Sequence, residues 1–416
     1  MLAVVHARGT VGTLRQVGAA LEFLYAPAWL ARADALPLSP RLPLQAEAWR
    51  GDEVVFFFSN LLPEGPVLDT LLQLRRLPRG NVYRLLEAFG RECAGAFAIV
   101  AEEEAGEAAP PGRYREYPRS ELIEDLNRLR ENIPLLGSHA DLRLSLAGAQ
   151  NKIPLRYADG KLWLPEAGAA STHILKPSLQ PASVYQDSVL NEAFCLRLAG
   201  ELGLPVPAVT VLRDPEPLLL VERYDRVLVD GQVERLHQLD LCQLAGVLPV
   251  SKYQSDGGPG FRQCFALIDA WSATPAVDRL RLVDVMLVNY LLGNADAHGK
   301  NFSMLYGPDA RLHLAPFYDL LATGYWPRLS DRMAMSIGGE RRPDWVMARH
   351  WQRFCEEAGL NPTQLRRRAL NLAARAVARY EEAARMLDVP PALLDHLGAT
   401  LRQRSDRLQK RLGVAE

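Results

Sequence analysis

Apolar and polar residues alternate in short runs along the first hundred residues of the chain. Residues 4–5, 21–24 and 54–58 have the composition of strands, in which successive side chains point to opposite faces. Residues 67–74 and 82–89 place apolar side chains three and four apart, which predicts two helices. We therefore expect an N-terminal region that mixes short strands with short helices.

The rest of the chain changes from a mixed pattern to a helical one. A helix is predicted at 119–132 and another at 188–202, where Gly203 ends it. Strands are predicted at 153–157, 163–165, 173–175, 209–212 and 218–222. After residue 240 the apolar period is that of long amphipathic helices, at 279–292, 346–358, 362–386 and 391–412. The order predicts a mixed lobe followed by a helical lobe.

The segment 102–112 is acidic and rich in alanine, and it ends in Pro-Pro-Gly. Such a composition is typical of a linker between folded regions. Together with the change of pattern near 240, it predicts three parts with the bounds 1–112, 113–240 and 241–416.

Charge and cysteine usage exclude several classes of protein. Lys and Arg number 48 against 49 Asp and Glu, which excludes a broadly basic nucleic-acid coat and an acidic tail protein. The five cysteines are scattered without a CxxC pair, so neither a disulfide framework nor a zinc site is indicated. The sequence shows no secretory signal and no apolar stretch long enough for a membrane span, so we expect a cytoplasmic protein without membrane association.

The strongest chemical signal is the polar run 294–303, which follows an apolar helix and a terminating Gly293. A predicted β-hairpin at 304–314 comes next, and then Asp319. Asp296 and Asn301 have the spacing of the kinase catalytic loop, in which the Asp accepts the substrate hydroxyl proton and the Asn holds Mg²⁺; Asp319 corresponds to the later metal-binding Asp. The alternative is a solvated turn, but the flanking helix and hairpin favour function.

A phosphoryl-transfer site also needs groups that hold the phosphates. Only six of the 48 basic residues are lysines, and Lys176 ends a predicted strand from which it suits the nucleotide phosphates. Residues 145–152 are small and flexible enough to place backbone N–H groups along phosphates, although the Walker A pattern is absent. Glu192 is a candidate ion-pair partner for Lys176, with a surface helix carboxylate as the alternative. The segment 218–225 fits a hinge whose backbone suits adenine.

Several longer segments, spread over nearly the whole chain, match the sequences of one protein family. They lie at 25–30, 37–39, 42–44, 60–63, 145–152, 172–176, 191–192, 221–226, 252–260, 298–303 and 317–319. In these segments the chain resembles the HipA-type serine/threonine kinase toxins of bacterial toxin–antitoxin systems. The resemblance implies an α+β, protein-kinase-like, two-lobed fold, with a mixed α/β N-terminal lobe, an extra N-terminal subdomain and an all-α C-terminal lobe.

The resemblance also implies roles for individual residues in an ATP- and Mg²⁺-dependent kinase. Asp296 matches the catalytic Asp, Asn301 and Asp319 the Mg²⁺ ligands, and Ser145 a serine whose autophosphorylation switches such enzymes off. The nucleotide-contacting positions are Ala147, Gly148, Ala149, Gln150, Lys152, Lys176, Glu222, Tyr224, His298 and Tyr318. For His298, bracing the loop is the alternative role.

Family members of this length resemble a toxin that phosphorylates an aminoacyl-tRNA synthetase, commonly the glutamyl enzyme, and halts translation. A small DNA-binding, HipB-like antitoxin normally holds such a toxin, so contact with DNA is expected only through that partner. Two other hypotheses compete: a catalytically silent corepressor of a DNA-binding antitoxin, and a small-molecule or lipid phosphotransferase. The complete set Lys176, Asp296, Asn301 and Asp319 argues against the first, and the matching N-terminal segments argue against the second.

Overall fold

The computed structural model describes residues 1–78, 80–105, 112–131 and 152–412. The chain forms two units, each assembled from several segments. Unit 1 comprises Met1–Pro177, Leu220–Pro249 and Leu305–Arg311, and unit 2 comprises Ser178–Leu219, Val250–Met304 and Leu312–Glu416. The division at 112 and 240 stays a prediction.

Unit 1 begins with an antiparallel sheet whose strand order is β4-β3-β2-β1-β5. Apolar side chains of its strands, such as Leu14 and Phe23, form a buried core with the neighbouring helices. The elements are β1 (Leu2–His6), β2 (Gly9–Val17), β3 (Ala20–Tyr25), α1 (Pro27–Leu30), β4 (Trp49–Arg50), α2 (Asp52–Ser59), α3 (Gly65–Arg75), α4 (Val82–Phe89), β5 (Ala98–Ala101) and α5 (Glu102–Ala105).

The strand predicted at 54–58 is wrong, because these residues lie in helix α2. Val54, Phe57 and Phe58 are buried, and their spacing of three and four residues puts them on one helical face. Asp52 and Glu53 occupy the first turn, where carboxylates interact favourably with the helix dipole. A short, uninterrupted apolar run fits the two-residue period of a strand and the 3.6-residue period of a helix equally well. The acidic pair before the run indicated a helix start and was missed.

The remainder of unit 1 is a second sheet with further short elements. Its neighbouring strands follow the order β11-β9-β7-β8-β6, and β7 pairs antiparallel with both β8 and β9. The elements are β6 (Arg113–Glu116), α6 (Arg119–Arg130), β7 (Ile153–Ala158), β8 (Lys161–Glu166), β9 (His173–Lys176), β11 (Leu218–Glu222, which begins in unit 2), β12 (Arg226–Val229), β13 (Gln232–Arg235), β14 (Gln238–Asp240) and α8 (Leu241–Ala245). The four strands predicted at 153–157, 163–165, 173–175 and 218–222 are confirmed.

The predicted linker at 102–112 is described only in part. Its first four residues form helix α5, which has no buried residue. Residues 106–111 lie outside the described part of the chain.

Unit 2 is mainly helical, as the helical spacing of apolar residues after residue 240 predicts. Its elements are α7 (Ser188–Glu201), β10 (Val209–Leu212), α9 (Phe261–Trp271), α10 (Pro275–Leu292), β15 (Ser303–Tyr306, whose end lies in unit 1), β16 (Leu312–Leu314), α11 (Ala348–Ala358), α12 (Pro362–Arg385) and α13 (Pro391–Leu412). Helix α9 was not predicted. Within the described ranges, no helix has the length and apolarity needed to cross a membrane.

One half-buried and one buried histidine of unit 1, His6 and His237, lead to a prediction about stability and pH. The Nε2–H of His237 donates to Leu38 O at 2.8 Å, while the Nδ1 of His6 accepts from Arg8 N–H at 3.1 Å. Burial lowers the pKa of both imidazoles to about 4, and for His6 the charges of Arg8 and Arg32 add to this effect. Both side chains are therefore neutral in the folded protein at neutral pH.

Because the unfolded chain binds these protons near pH 6.5, their contribution to stability is complete above that pH and is lost as the pH falls toward 4. At pH 5, His237 alone should lower the free energy of unfolding by about 2 kcal/mol. We expect a lower urea midpoint at pH 5 than at pH 7.5. His6→Asn, which keeps an acceptor for Arg8 without titrating, should show a smaller change. A midpoint that does not change between these pH values would contradict the prediction.

Candidate active site

The polar run 294–301 begins where helix α10 ends. Gly293 adopts the left-handed conformation with φ 71°, which ends the helix as predicted. Asn294 is buried; its Nδ2–H donates to Asn289 Oδ1 at 2.8 Å, and its own Oδ1 accepts from Asp296 N–H at 3.0 Å. The loop is thus fixed to the last turn of a buried helix while Asp296 is exposed.

Asp296 and Asn301 are joined through the loop backbone. The Asn301 Nδ2–H donates to Asp296 O at 2.9 Å, and His298 N–H donates to the same carbonyl oxygen at 2.8 Å. Because the amide nitrogen of Asn301 is used within the loop, its Oδ1 is turned away from that carbonyl. The arrangement presents a carboxylate and an amide oxygen from one short loop.

A second segment of unit 2, at residues 252–253, contacts this loop. Lys252 O accepts from Gly299 N–H at 3.1 Å. The Tyr253 hydroxyl donates to Asp296 Oδ1 at 2.6 Å, and its ring meets His298 edge-on with centroids 5.0 Å apart. Tyr253 lies within the family segment 252–260 but was not predicted to be a site residue.

His298 is buried between the two segments. Its pKa is lowered to about 3, mainly by burial and also by the nearby charges of Lys252 and Lys300, against the opposing effect of Asp319. A neutral, buried imidazole packed on Tyr253 favours the bracing role. Contact between His298 and a nucleotide stays a prediction.

Asp319 follows the hairpin and is held from both sides. The Tyr318 hydroxyl donates to Lys300 O at 2.7 Å and also lies 2.7 Å from Ser303 Oγ. On the other side, the buried Asn191 side chain accepts from Ala322 N–H at 2.8 Å and donates to Ala322 O at 3.1 Å. Asp319 itself has φ 54°, a left-handed conformation that Asp and Asn adopt more readily than most residues.

Glu192 is adjacent to Asn191 on helix α7. Its side chain is only 2% exposed, so the alternative of a surface helix carboxylate is wrong. A carboxylate buried to this extent requires polar or charged partners, and its pairing with Lys176 stays a prediction.

Unit 1 contains the predicted phosphate-facing lysines. Lys176 is 4% exposed at the end of β9, and the register pairs Ile153 with Leu175. This register sets Lys152 across from Lys176 at one end of two neighbouring strands. Contact of these two lysines with the phosphates of a nucleotide stays a prediction.

The predicted hinge follows β11 in unit 1. Glu222 is exposed, and the Tyr224 hydroxyl donates to Gln238 Oε1 at 2.5 Å. Arg223 donates twice to the buried Asp225, at 2.9 and 2.8 Å. Burial opposes ionisation of Asp225, but the charges of Arg223 and Arg226 hold its pKa below its usual range. The segment is therefore fixed on both sides of Tyr224.

The predicted site residues fall into two described groups and one undescribed group. Unit 2 contains Asp296, His298 and Asn301 in one loop, and the Tyr318 hydroxyl binds this loop at Lys300 O, with Asp319 next in the chain. Unit 1 contains Lys152, Lys176, Glu222 and Tyr224. Ser145, Ala147, Gly148, Ala149 and Gln150 lie outside the described residues.

The described residues contain no cluster of three or more His, Cys, Asp or Glu side chains that would hold a metal ion. A site with one Asp and one Asn is consistent with this finding. Mg²⁺ typically uses one or two carboxylates together with water and phosphate oxygens.

Comparisons with known proteins agree with these observations. Residues 2–100 match the family model of the HipA N-terminal domain, and residues 144–381 match that of the HipA-like C-terminal domain. The protein Y4mE of Sinorhizobium fredii is 43% identical over 393 residues, which cover 92% of each chain. The serine/threonine-protein kinase toxin HipA of Shewanella oneidensis is 32% identical over 79% of this chain and 76% of that protein. A solved complex of Shewanella oneidensis HipA, HipB and operator DNA matches with a TM-score of 0.85, 28% identity and full coverage of both chains.

Proposed function

This chain belongs to the HipA family of serine/threonine kinase toxins, and we propose that it uses Asp296 to transfer the γ-phosphoryl group of ATP to a hydroxyl of a protein substrate. The observation that carries the proposal is the loop that ends helix α10. It presents an exposed Asp296 carboxylate, fixed through its own backbone to Asn294 and Asn301. Positioning of this kind is most of what phosphoryl transfer requires of a protein.

In the proposed reaction, the substrate hydroxyl oxygen forms a bond with the γ-phosphorus while the bond from that phosphorus to the β–γ bridging oxygen breaks. ADP leaves with the electron pair of that bond, and Asp296 accepts the hydroxyl proton. Lys176 and Lys152 hold phosphate oxygens, and the hinge around Glu222 and Tyr224 contacts adenine. We assign the backbone N–H groups of Ala147, Gly148, Ala149 and Gln150 to the phosphates.

Asn301 and Asp319 fit Mg²⁺ by their chemistry. Both offer the hard oxygen atoms that this ion prefers, and the bond from Asn301 Nδ2 to Asp296 O leaves the amide oxygen for the ion. When bound, Mg²⁺ neutralises charge on the phosphates. The bonds of Tyr318 to the loop and of Asn191 to Ala322 hold the segment that carries Asp319.

We infer that the substrate is a component of translation, with an aminoacyl-tRNA synthetase, and the glutamyl enzyme in particular, as the first candidate. We also infer autophosphorylation of Ser145 as the means of switching the kinase off. Both inferences follow from membership of the family. The HipA–HipB–operator DNA complex supports a small, HipB-like, DNA-binding antitoxin as the partner, through which DNA would be contacted indirectly.

Mass spectrometry of the full chain after incubation with Mg²⁺-ATP tests the proposal. We expect one added phosphate, and peptide mapping should place it on Ser145. Incubation with purified glutamyl-tRNA synthetase should add phosphate to that enzyme. ATP binding without phosphate on either protein would overturn the proposed activity and favour the silent corepressor.

A further inference from the structure

The contact between Tyr253 and Asp296 gives Tyr253 a place in the proposed reaction. The two residues are 43 positions apart, yet the Tyr253 hydroxyl lies 2.6 Å from Asp296 Oδ1. Asp296 is exposed, and its side chain extends from a loop toward the segment that carries Tyr253. A hydrogen bond to an ionised carboxylate is one of the stronger bonds available to a neutral donor.

We propose that Tyr253 is a positioning residue, whose hydroxyl holds Asp296 Oδ1 so that Oδ2 is directed to the substrate hydroxyl. The inference rests on the proposed role of Asp296 as the proton acceptor. A carboxylate with one oxygen held has a restricted χ2 torsion, whereas an unrestrained carboxylate rotates and is correctly oriented for only part of the time. Tyr253 would thus contribute to the rate of transfer without contacting ATP.

Backbone hydrogen bonds and two glycines fix the turn that carries Tyr253. Tyr253 O accepts from both Asp256 N–H and Gly258 N–H at 2.9 Å. Gly257 has φ 94°, and a Cβ atom at Gly258 would lie 2.2 Å from Ser251 O, so glycine is required at both positions. Gln254 Oε1 accepts from Ser336 N–H at 2.7 Å, which ties the turn to another part of unit 2.

The same segment also fixes the other end of the loop. Lys252 O accepts from Gly299 N–H, while the Tyr253 ring packs edge-on against the buried His298. Tyr253 therefore has two separable contacts: the ring supports the loop, and the hydroxyl orients Asp296.

Comparison of Tyr253→Phe with Tyr253→Ala separates the two roles. Tyr253→Phe keeps the ring on His298 and removes the hydroxyl. We expect its maximal rate of phosphoryl transfer to fall about tenfold, with the KM for ATP within about twofold of wild type, because one bond to a charged group is lost. Tyr253→Ala, which also loses the ring contact with His298, should be slower than Tyr253→Phe. The readouts are ADP release and phosphate incorporation by the full chain over a range of Mg²⁺-ATP concentrations.

Two further variants make the test specific. Tyr117 in unit 1 has a matching bond, from its hydroxyl to Asp125 Oδ2 at 2.7 Å, so Tyr117→Phe should keep the wild-type rate. The double variant Tyr253→Phe/Asp296→Asn should be no slower than Asp296→Asn alone, since the hydroxyl acts through the carboxylate. Urea unfolding of each variant checks that it is folded.

The failures of the two proposals are distinguishable. A Tyr253→Phe variant with the wild-type maximal rate, beside a slow Tyr253→Ala, would overturn the inference alone and assign Tyr253 to loop packing. An additive double variant would also overturn it. A wild-type chain that transfers no phosphate, or an active Asp296→Asn variant, would overturn the proposed function itself.

Discussion

Asp296→Asn should lower the rate of phosphoryl transfer by about 10³-fold, within the range that general-base residues contribute. Asn cannot accept the hydroxyl proton, but it has nearly the same size and keeps an oxygen for the Tyr253 hydroxyl. The backbone bonds of residue 296 to Asn294, His298 and Asn301 do not depend on the side chain. We therefore expect ATP affinity and the urea midpoint to stay close to those of wild type.

Intact-mass measurements over a time course of Mg²⁺-ATP incubation check this prediction, with ATP binding followed by calorimetry. Asp331→Asn provides a matched control, because Asp331 is an exposed carboxylate of unit 2 outside the proposed site. Phosphate incorporation by Asp296→Asn at the wild-type rate would remove Asp296 from the role of proton acceptor.

The loop that carries Asp296 was predictable because its signals are local. A nearly all-apolar helix, a terminating Gly293 and a hairpin are each determined by residues close in sequence, and the structure places all three as expected. The spacing of Asp296 and Asn301 then needed no long-range information. Lys176 at the end of a strand was predictable for the same reason.

What the sequence alone did not show depends on contacts between distant segments. Tyr253 meets Asp296 only through the tertiary fold, and a tyrosine in a glycine-rich turn has no local signal of a catalytic contact. Likewise, the spacing of Glu192 was equally consistent with a surface position, and only the packing of α7 shows that it is buried. The run 54–58 failed for another reason, since three consecutive phenylalanines satisfy a strand and a helix alike.

Asp319→Asn should lower phosphoryl transfer by at least about 10²-fold at a fixed Mg²⁺ concentration, because the proposed metal site loses its carboxylate. Substitution by Asn removes the negative charge of residue 319 without changing its conformational preference. Residue 319 has φ 54°, and Asn tolerates this left-handed conformation as Asp does. Asp319→Ala should lose the same activity and should also lower the free energy of unfolding by about 1 kcal/mol more than Asp319→Asn, since Ala is strained there.

Rates measured over a range of Mg²⁺ concentrations, together with urea unfolding of both variants, separate the two effects. If Asp319 holds the ion, both variants should need far more Mg²⁺ than wild type, although they differ in stability. If instead Asp319 serves only the backbone turn, Asp319→Asn should keep the wild-type Mg²⁺ dependence while Asp319→Ala alone is impaired. That second outcome would contradict the proposed metal site, because the side chain's conformational preference, and not its charge, would then explain why Asp stands at this position.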